Sequence, residues 1–361
     1  MRNKRLRDPI ILIVAARGDL HILYVTRHLD SWGVEYVYFD PHDYPARCRV
    51  SVSFASNGTC VKQMTGLGST LDLDAVSAVW NRARARPCAE ERLAPEQVWW
   101  VEETSARFLS ELYECVDCLW LPERPSSDRE PFRNNRRAVQ NHGANVRREQ
   151  CASPYNKLNQ LALAGRLGFS IPRTLVTNDP DQLINLFHVC QGRIISKTPI
   201  PLATTRDGEK VQPFTREVHR RDLADHEAVR FAAVTFQENI LKKVELRVTV
   251  IGGTVLAAEI RSTESNRTLT EWRHYPEHAG DRNYGIHQLP EKVSRACRKV
   301  VQALGLCFGA IDLILTPEGD YVFLEINPGG QWAWIEDYTG LPISQAVADL
   351  LVKGRACANH L

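Results

Sequence analysis

The sequence predicts a protein of mixed α/β and α+β class, an N-terminal α/β domain joined to an α+β body. Three observations carry this. The first eighty or so residues alternate apolar, strand-like runs with an amphipathic helix, the rhythm of parallel pairing. The second half is dominated by apolar runs broken at tight glycine turns, the pattern of antiparallel hairpins. Between the two lies a polar, Arg-rich stretch that reads as a linker or insertion. The division expected is an N-terminal domain over 1–121, a basic linker over 122–154, a central subdomain over 155–234 and a C-terminal subdomain over 235–361.

The elements follow in order. PIILIVAA (9–16) is a buried strand, followed by a Gly18-Asp19 turn and a helix through about Trp32. That turn lacks the GxGxxG spacing of a dinucleotide loop. VEYVYFD is a second strand ending at Asp40, and DAVSAVWNR a third, closing at Trp80 and Arg82. A helix rich in Trp, Phe and Leu runs from about Glu96 to Cys115. After the linker, a helix from about Tyr155 to Leu167 stops at Gly168, then IPRTLVT forms a strand. RIISKT (193–198) is a strand ending in the polar loop PLATTRDGEK, and a helix near 221–230 precedes a long β region from Thr235 to Ile260. The chain closes with a hairpin, a glycine turn and a helix from about Pro342 to Gly354.

Composition excludes several classes. Lys and Arg total 45 against 43 Asp and Glu, a net charge of +2 that gives no global pull toward nucleic acid or a membrane surface. The apolar run at the start is only about six residues long before Arg17 and Asp19, too short for a signal peptide or a bilayer span. Ten scattered Cys, with the one CxxC at Cys115 and Cys118, lack the second pair of a zinc site and read as reduced, mostly buried thiols of a cytoplasmic protein. Five Arg and no acid lie between Arg133 and Arg148, either a solvated loop or an arm for an acidic peptide.

The most informative stretch is GAIDLILTPEGDYVFLEINPGG (309–330). Two apolar runs flank a Pro-Glu-Gly-Asp turn, so this is a hairpin, and with a loop of two or four residues Asp312 falls opposite Glu325. Asn327, two residues on, shares the face of Glu325, as Phe323 and Tyr321 would. Two facing carboxylates repel, so a positive group is expected between them. Two carboxylates and an amide oxygen form a hard-oxygen set suited to Mg2+.

Other candidates are weaker one by one. Lys157 opens a helix and Lys197 ends a strand, positions from which an ammonium can reach a phosphate, although either could be an ordinary surface lysine. TFQENI (235–240) places Gln237, Glu238, Asn239 and Ile240 where a strand before a bend can hydrogen-bond an adenine edge. ELRVTVIGGTVLAAEI turns at Gly252-Gly253 and sets Glu245, Arg247 and Thr249 on one face. Arg247 either supports a transferring phosphoryl group or pairs with Glu245.

Taken together, Lys157, Lys197, the 237–240 segment, Arg247 and the hairpin with Asp312, Glu325 and Asn327 follow the order seen in ATP-grasp ligases. LGFSIPRTLVTNDP (167–180), KKVELRVTVIGG (242–253), EWRHY (271–275) and FLEINPGGQWAWIEDYTGLPIS (323–344) resemble the ATP-grasp enzymes that macrocyclise microviridin-type peptides, the graspetides. The N-terminal segment with Trp80 and Arg82 is similar to their pre-ATP-grasp domain. The sequence departs from that family where Glu271 precedes Trp272 and where Glu245 precedes Leu246-Arg247, both in place of Asp, and in the Arg-rich insertion ahead of Lys157.

The resemblance implies an ATP-grasp fold behind a pre-ATP-grasp domain, with ATP between two lobes. Adenine would lie against Gln237–Ile240, the phosphates against Lys157, Lys197 and Arg247, with Glu245 also among the nucleotide-binding residues, and Mg2+ at Asp312, Glu325 and Asn327. It implies a partner, a ribosomal precursor peptide with a leader and an acidic, hydroxyl-rich core, and a possible homodimer. Arg273, with Arg247 and Lys197, would serve the reacting carboxylate. The product would be an ω-ester or ω-amide ring. Two other functions fit the same residues: a ligase joining a carboxylate to a separate amine, and a binding module that carries a peptide without catalysis.

Overall fold

The computed structural model describes residues 10–66, 68, 70–82, 85–124, 153–197, 204–206, 209–211, 215–261 and 284–354. The Arg-rich cluster of 133–148 and the EWRHY segment with Arg273 lie outside the described residues.

The chain opens with β1 (Ile10–Val14), α1 (Leu20–Trp32) and β2 (Tyr36–Phe39). A meander of β3 (Arg49–Phe54), β4 (Cys60–Thr65) and β5 (Leu71–Asp72) follows, then β6 (Val76–Asn81), α2 (Pro95–Glu114) and β7 (Leu119–Leu121). Strands β2-β1-β6-β7 form a four-stranded parallel sheet, as the strand–helix–strand rhythm predicts. The antiparallel meander was not legible in advance. Its strands alternate polar residues with small apolar ones, so little of the run reads as core. Asp19 caps α1 by accepting from His21 N–H, and Gly33 closes it at φ +65°.

The central part begins with α3 (Lys157–Arg166), capped by the Asn156 side chain. It continues through β8 (Thr174–Thr177), α4 (Pro180–Val189), β9 (Ile194–Lys197), the small hairpin β10 (Thr204–Arg206) and β11 (Glu209–Val211), β12 (Arg216–Val218) and β13 (Val234–Glu238). Four of these strands form the antiparallel sheet β12-β9-β13-β8. The helix expected near 221–230 is a 3-10 segment over Arg220–Phe231, non-helical at Asp225. Its sequence carries no apolar stripe that could hold a regular α-helix against a core.

The last part holds β14 (Val244–Ile251), β15 (Thr254–Ile260), β16 (Tyr284–Ile286), α5 (Glu291–Ala303), β17 (Phe308–Leu315), β18 (Tyr321–Asn327), α6 (Ala333–Thr339) and α7 (Ile343–Lys353). Strands β16-β15-β14-β17-β18 make one antiparallel sheet. The β region expected from Thr235 to Ile260 is therefore two pieces, broken between β13 and β14 and shared between two sheets.

The period-2 pattern of β14 separates the two faces of the large sheet. Leu246, Val248 and Val250 pack with Ile311, Leu313, Phe323 and the α5 residues Val300 and Val301. Glu245, Arg247 and Thr249 point to the other side. One end of that second face is sealed by Trp332, α7 and the first sheet, whose apolar residues form a single cluster with Ile251, Ala258 and Phe308. The polar end of the face carries the candidate site. No described helix is long and apolar enough to cross a membrane.

Candidate active site

β17 and β18 place Asp312 directly opposite Glu325, the pairing expected, but by a different route. The turn is a three-residue loop: Thr316 N–H donates to Asp320 O at 2.9 Å and Gly319 N–H to Thr316 O at 3.1 Å. Gly319 sits at φ +94°, which only glycine adopts without strain. An odd loop shifts the ladder by one residue, and a β-bulge at Leu324 shifts it back before the acids. The bulge also reverses the faces. Phe323 and Tyr321 pair with Leu313 and Leu315 and pack in the core, so the expectation that they share the face of Glu325 is corrected. Asn327 does share it.

Each acid has its own cation, from a different element. Arg247 stands opposite Asp312 on β14 and donates from Nη1 to Oδ1 at 2.6 Å. Lys157, the first residue of α3, donates from Nζ to Glu325 Oε2 at 2.6 Å. Asn327 lies between the carboxylates, its Nδ2 donating to Asp312 Oδ2 at 3.3 Å and Glu325 Oε1 at 3.2 Å. Burial by itself would raise the Glu325 carboxyl. The Lys157 charge and hydrogen bond, the nearby charge of Lys197 and the Asn327 amide outweigh it and hold the group well below the ordinary carboxylate range. The positive partner expected between the acids is thus supplied by the protein itself.

The remaining candidates divide. Lys197 Nζ donates to Gln237 Oε1 at 2.7 Å, and Gln237 Nε2 donates to Thr174 Oγ1 at 2.9 Å. Gln237 is buried and orients Lys197 across the central sheet. Glu238 N–H donates to Arg173 O and Asn239 N–H to Arg193 O, while the Asn239 side chain donates to Glu217. Ile240 follows in the half-buried stretch after β13. Glu245 pairs with Lys242, so Arg247 is committed to Asp312 and not to Glu245. Arg273 lies outside the described residues.

Two further polar groups are not legible as groups in the sequence, where Asp19 marks a turn and Arg82 belongs to the N-terminal resemblance but Gln160 and His21 have no reading. Gln160, on α3, is buried and binds the edge of β18: Nε2 donates to Ile326 O at 2.9 Å and Oε1 accepts from Ile326 N–H at 3.1 Å. Its signal was a polar residue at a core position, one turn before Ala164. The second group is Asp19, His21 and Arg82 of the N-terminal domain. Arg82 Nε donates to Asp19 Oδ2 at 2.7 Å, and His21 Nδ1 lies 2.7 Å from Asp19 Oδ1. Burial would raise the Asp19 carboxyl, but the His21 and Arg82 hydrogen bonds and the Arg82 charge drive it well below the usual range.

Two carboxylates and an amide within mutual hydrogen-bond distance are a fitting donor set for a hard divalent cation. Asn327 would then present its oxygen in place of its nitrogen, a simple reversal of the amide. The loop after Asn327 is held close: a Cβ at Gly330 would lie 2.4 Å from Ala310 Cβ and 3.3 Å from Arg247 Nη2.

Among solved structures, the chain is similar to a Chryseobacterium gregarium RiPP-associated ATP-grasp ligase in complex with ADP and a leader and core peptide, with a TM-score of 0.80 and 27% identity over 95% of this chain and 96% of that one. Its fold is that of the RiPP-associated ATP-grasp ligases. It is also similar to two macrocyclases of Microcystis aeruginosa MRC. MdnC, solved with its precursor peptide MdnA, matches at TM-score 0.74 and 27% identity, and MdnB at 0.70 and 29%. Each match covers 95% of this chain and 99% of the other. No family model matches the sequence, and a search of curated proteins finds no match. The layout is that of an ATP-grasp fold: a parallel α/β sheet first, then two antiparallel sheets with the acidic hairpin on the larger.

Proposed function

We propose that this ATP-grasp ligase macrocyclises a ribosomal precursor peptide. It would activate Asp or Glu side chains as acyl-phosphates and close ω-ester or ω-amide bonds within the same peptide. The observation that carries the reading is the meeting of Lys157, Arg247 and the Asp312/Glu325/Asn327 face, from three separate elements, with Lys197 close enough to act on Glu325. Their similarity to enzymes solved with ADP and with precursor peptides supports the substrate class.

The chemistry asks for little covalent work. A peptide carboxylate oxygen attacks the γ-phosphorus of ATP and ADP leaves; a hydroxyl or amine of the peptide then attacks the acyl carbon and phosphate leaves. Lys157, Lys197 and Arg247 would hold the phosphate oxygens, Lys as point charges and Arg247 as a planar fork. Mg2+ at Asp312, Glu325 and Asn327 would supply charge neutralisation on the phosphates. Because the acids are already paired with cations, ligand binding would exchange partners, the metal taking the acids and the freed cations taking the phosphates. The Glu238 and Asn239 N–H groups are engaged within the protein, so an adenine edge would be read by the carbonyls of 237–240 and by Ile240 N–H. Arg273 is assigned to the reacting carboxylate on family resemblance.

The test is ADP release and peptide mass with an acidic, hydroxyl-rich precursor. Mg-dependent ADP formation with loss of one water per bond from a single peptide is expected. Asp312→Asn and Glu325→Gln should each lower turnover by more than about a hundredfold. Addition of a second molecule's mass would favour intermolecular ligation. Near-wild-type turnover in either variant would sink the metal assignment, and absence of any turnover in the wild type would favour a carrier.

A further inference from the structure

His21 touches the C-terminal lobe at one place, the amides that start α6. Its Nε2 lies 3.1 Å from Trp332 N and 3.3 Å from Ala333 N, and both N–H groups point at it. An imidazole nitrogen that faces two donors must offer its lone pair, so the ring proton is on Nδ1. Nδ1–H then donates to Asp19 Oδ1, the 2.7 Å contact. Arg82 Nη2 is 3.1 Å from the same Nδ1; with that nitrogen protonated the closeness reflects their shared partner, because Arg82 Nε is bonded to Asp19 Oδ2. Asp19 thereby fixes both the tautomer and the ring plane, while Trp332 stands edge-on to the imidazole at 4.8 Å.

Only four residues, Pro328 to Gln331, separate Asn327 from Trp332. That bridge has little freedom. Gly330 N–H donates to Asn327 O at 3.1 Å, and Gly330 is pressed on Ala310. A shift at Trp332 must therefore be passed back toward Asn327.

We propose that His21 is a positioning residue for the cation site: it pins the far end of the glycine loop and so sets where Asn327 stands against Asp312 and Glu325. The role rests on reading those three residues as the cation site. It gives the N-terminal domain a task in catalysis without contact to the reacting atoms. Partners that orient metal ligands in this way typically change affinity by about ten- to a hundredfold when removed.

The test compares His21→Gln, His21→Asn and His21→Ala. The Gln amide oxygen can reach the place of Nε2; the shorter Asn cannot. In ligand-free protein, amide exchange at Trp332 and Ala333 should remain near wild type in His21→Gln and accelerate at least about tenfold in His21→Asn and His21→Ala. Mg·ADP binding by calorimetry should follow the same order, weakening about tenfold or more in Asn and Ala. Equal behaviour of Gln and Asn, or unchanged exchange in the variants, would overturn the pin. Faster exchange with unchanged Mg·ADP affinity would overturn the positioning role. If the wild type bound no Mg·ADP, the reading of the cation site would fall, and the exchange data would still judge the pin by itself. Should His21→Ala fail to fold, the Gln and Asn pair decides alone.

Discussion

Replacing Gln160 by Met should loosen the acidic strand from α3. β18 is the last strand of its sheet, and its outer edge meets a backbone bridge only near its start, where Phe323 N–H donates to Ser170 O at 2.8 Å, among the described residues. The free side at Ile326 is satisfied by one side chain, which donates to the carbonyl and accepts from the amide as a neighbouring strand would. Gln160 is 1% exposed, and its Nε2 also donates to Pro154 O at 2.5 Å. Met keeps the unbranched shape but strands three buried backbone groups, the N–H and carbonyl of Ile326 and the carbonyl of Pro154. At about 1–3 kcal/mol for each of the three groups left unmade, less about 1 kcal/mol from the more apolar side chain, the loss is about 2–8 kcal/mol. Urea denaturation with an unchanged m-value measures it, and amide exchange at Ile326 localises it. Lys157 lies one turn before Gln160, so the same variant should raise the KM for ATP. A stability change well under about 1 kcal/mol, with Ile326 exchange unaltered, would refute the idea that this side chain replaces a strand.

Three further outcomes follow from the same geometry. Asp312→Ala should destabilise by about 3–5 kcal/mol, because Arg247, 7% exposed at its side chain, loses its carboxylate; Asp312→Asn should cost clearly less, and equal urea midpoints would argue against the pair. This reverses what the hairpin considered alone suggests, where removing one of two facing acids would relieve repulsion. Gly330→Ala should cost about 1–3 kcal/mol by crowding Ala310, and adding Ala310→Gly should recover part of it; strictly additive effects in the double-mutant cycle would show that the two residues do not meet. Burial pushes the Cys297 thiol up to about 12. Since that disfavours the thiolate, raising the pH from about 7 to 9 should speed alkylation at the exposed Cys88 and Cys115 but not at Cys297 in the native state, as peptide mapping would reveal.

Much of the architecture was legible because it rests on local pattern. The apolar run of β1, the helix caps, the glycine turn at Gly252 and the acid-bearing hairpin each declare themselves within a dozen residues. The pairing of Asp312 with Glu325 was legible too, though through two compensating irregularities, a three-residue turn and a bulge, that no alternation pattern reveals. What stayed hidden depends on contacts far apart in the chain. Gln160 meets Ile326, and His21 meets Trp332, across more than 160 residues in each case. Gln237 illustrates the difference: its place on a strand could be read, but its service to Lys197 required the register of β9 on β13.

The hidden contacts share a design with a physical consequence. Beyond its pairing with β17, the segment from Glu325 to Ala333 is held by single polar side chains, Gln160 at Ile326, Arg247 at Gln331 O, and His21 at Trp332 and Ala333. A sheet ladder would fix such a segment through many equivalent bonds and give it one register. Point contacts fix it at three places, and the tight Gly330 turn between them passes displacement along the segment. Under the proposed function, in which a metal and phosphates would replace Lys157 and Arg247 as partners of the acids, that arrangement lets the acids change partners while the strand keeps its register. The same arrangement ties the site to both flanking units: α3 holds one end of the segment and the N-terminal domain the other. A displacement of either unit is then passed to the site, and each of the three anchoring side chains should affect nucleotide binding as well as stability.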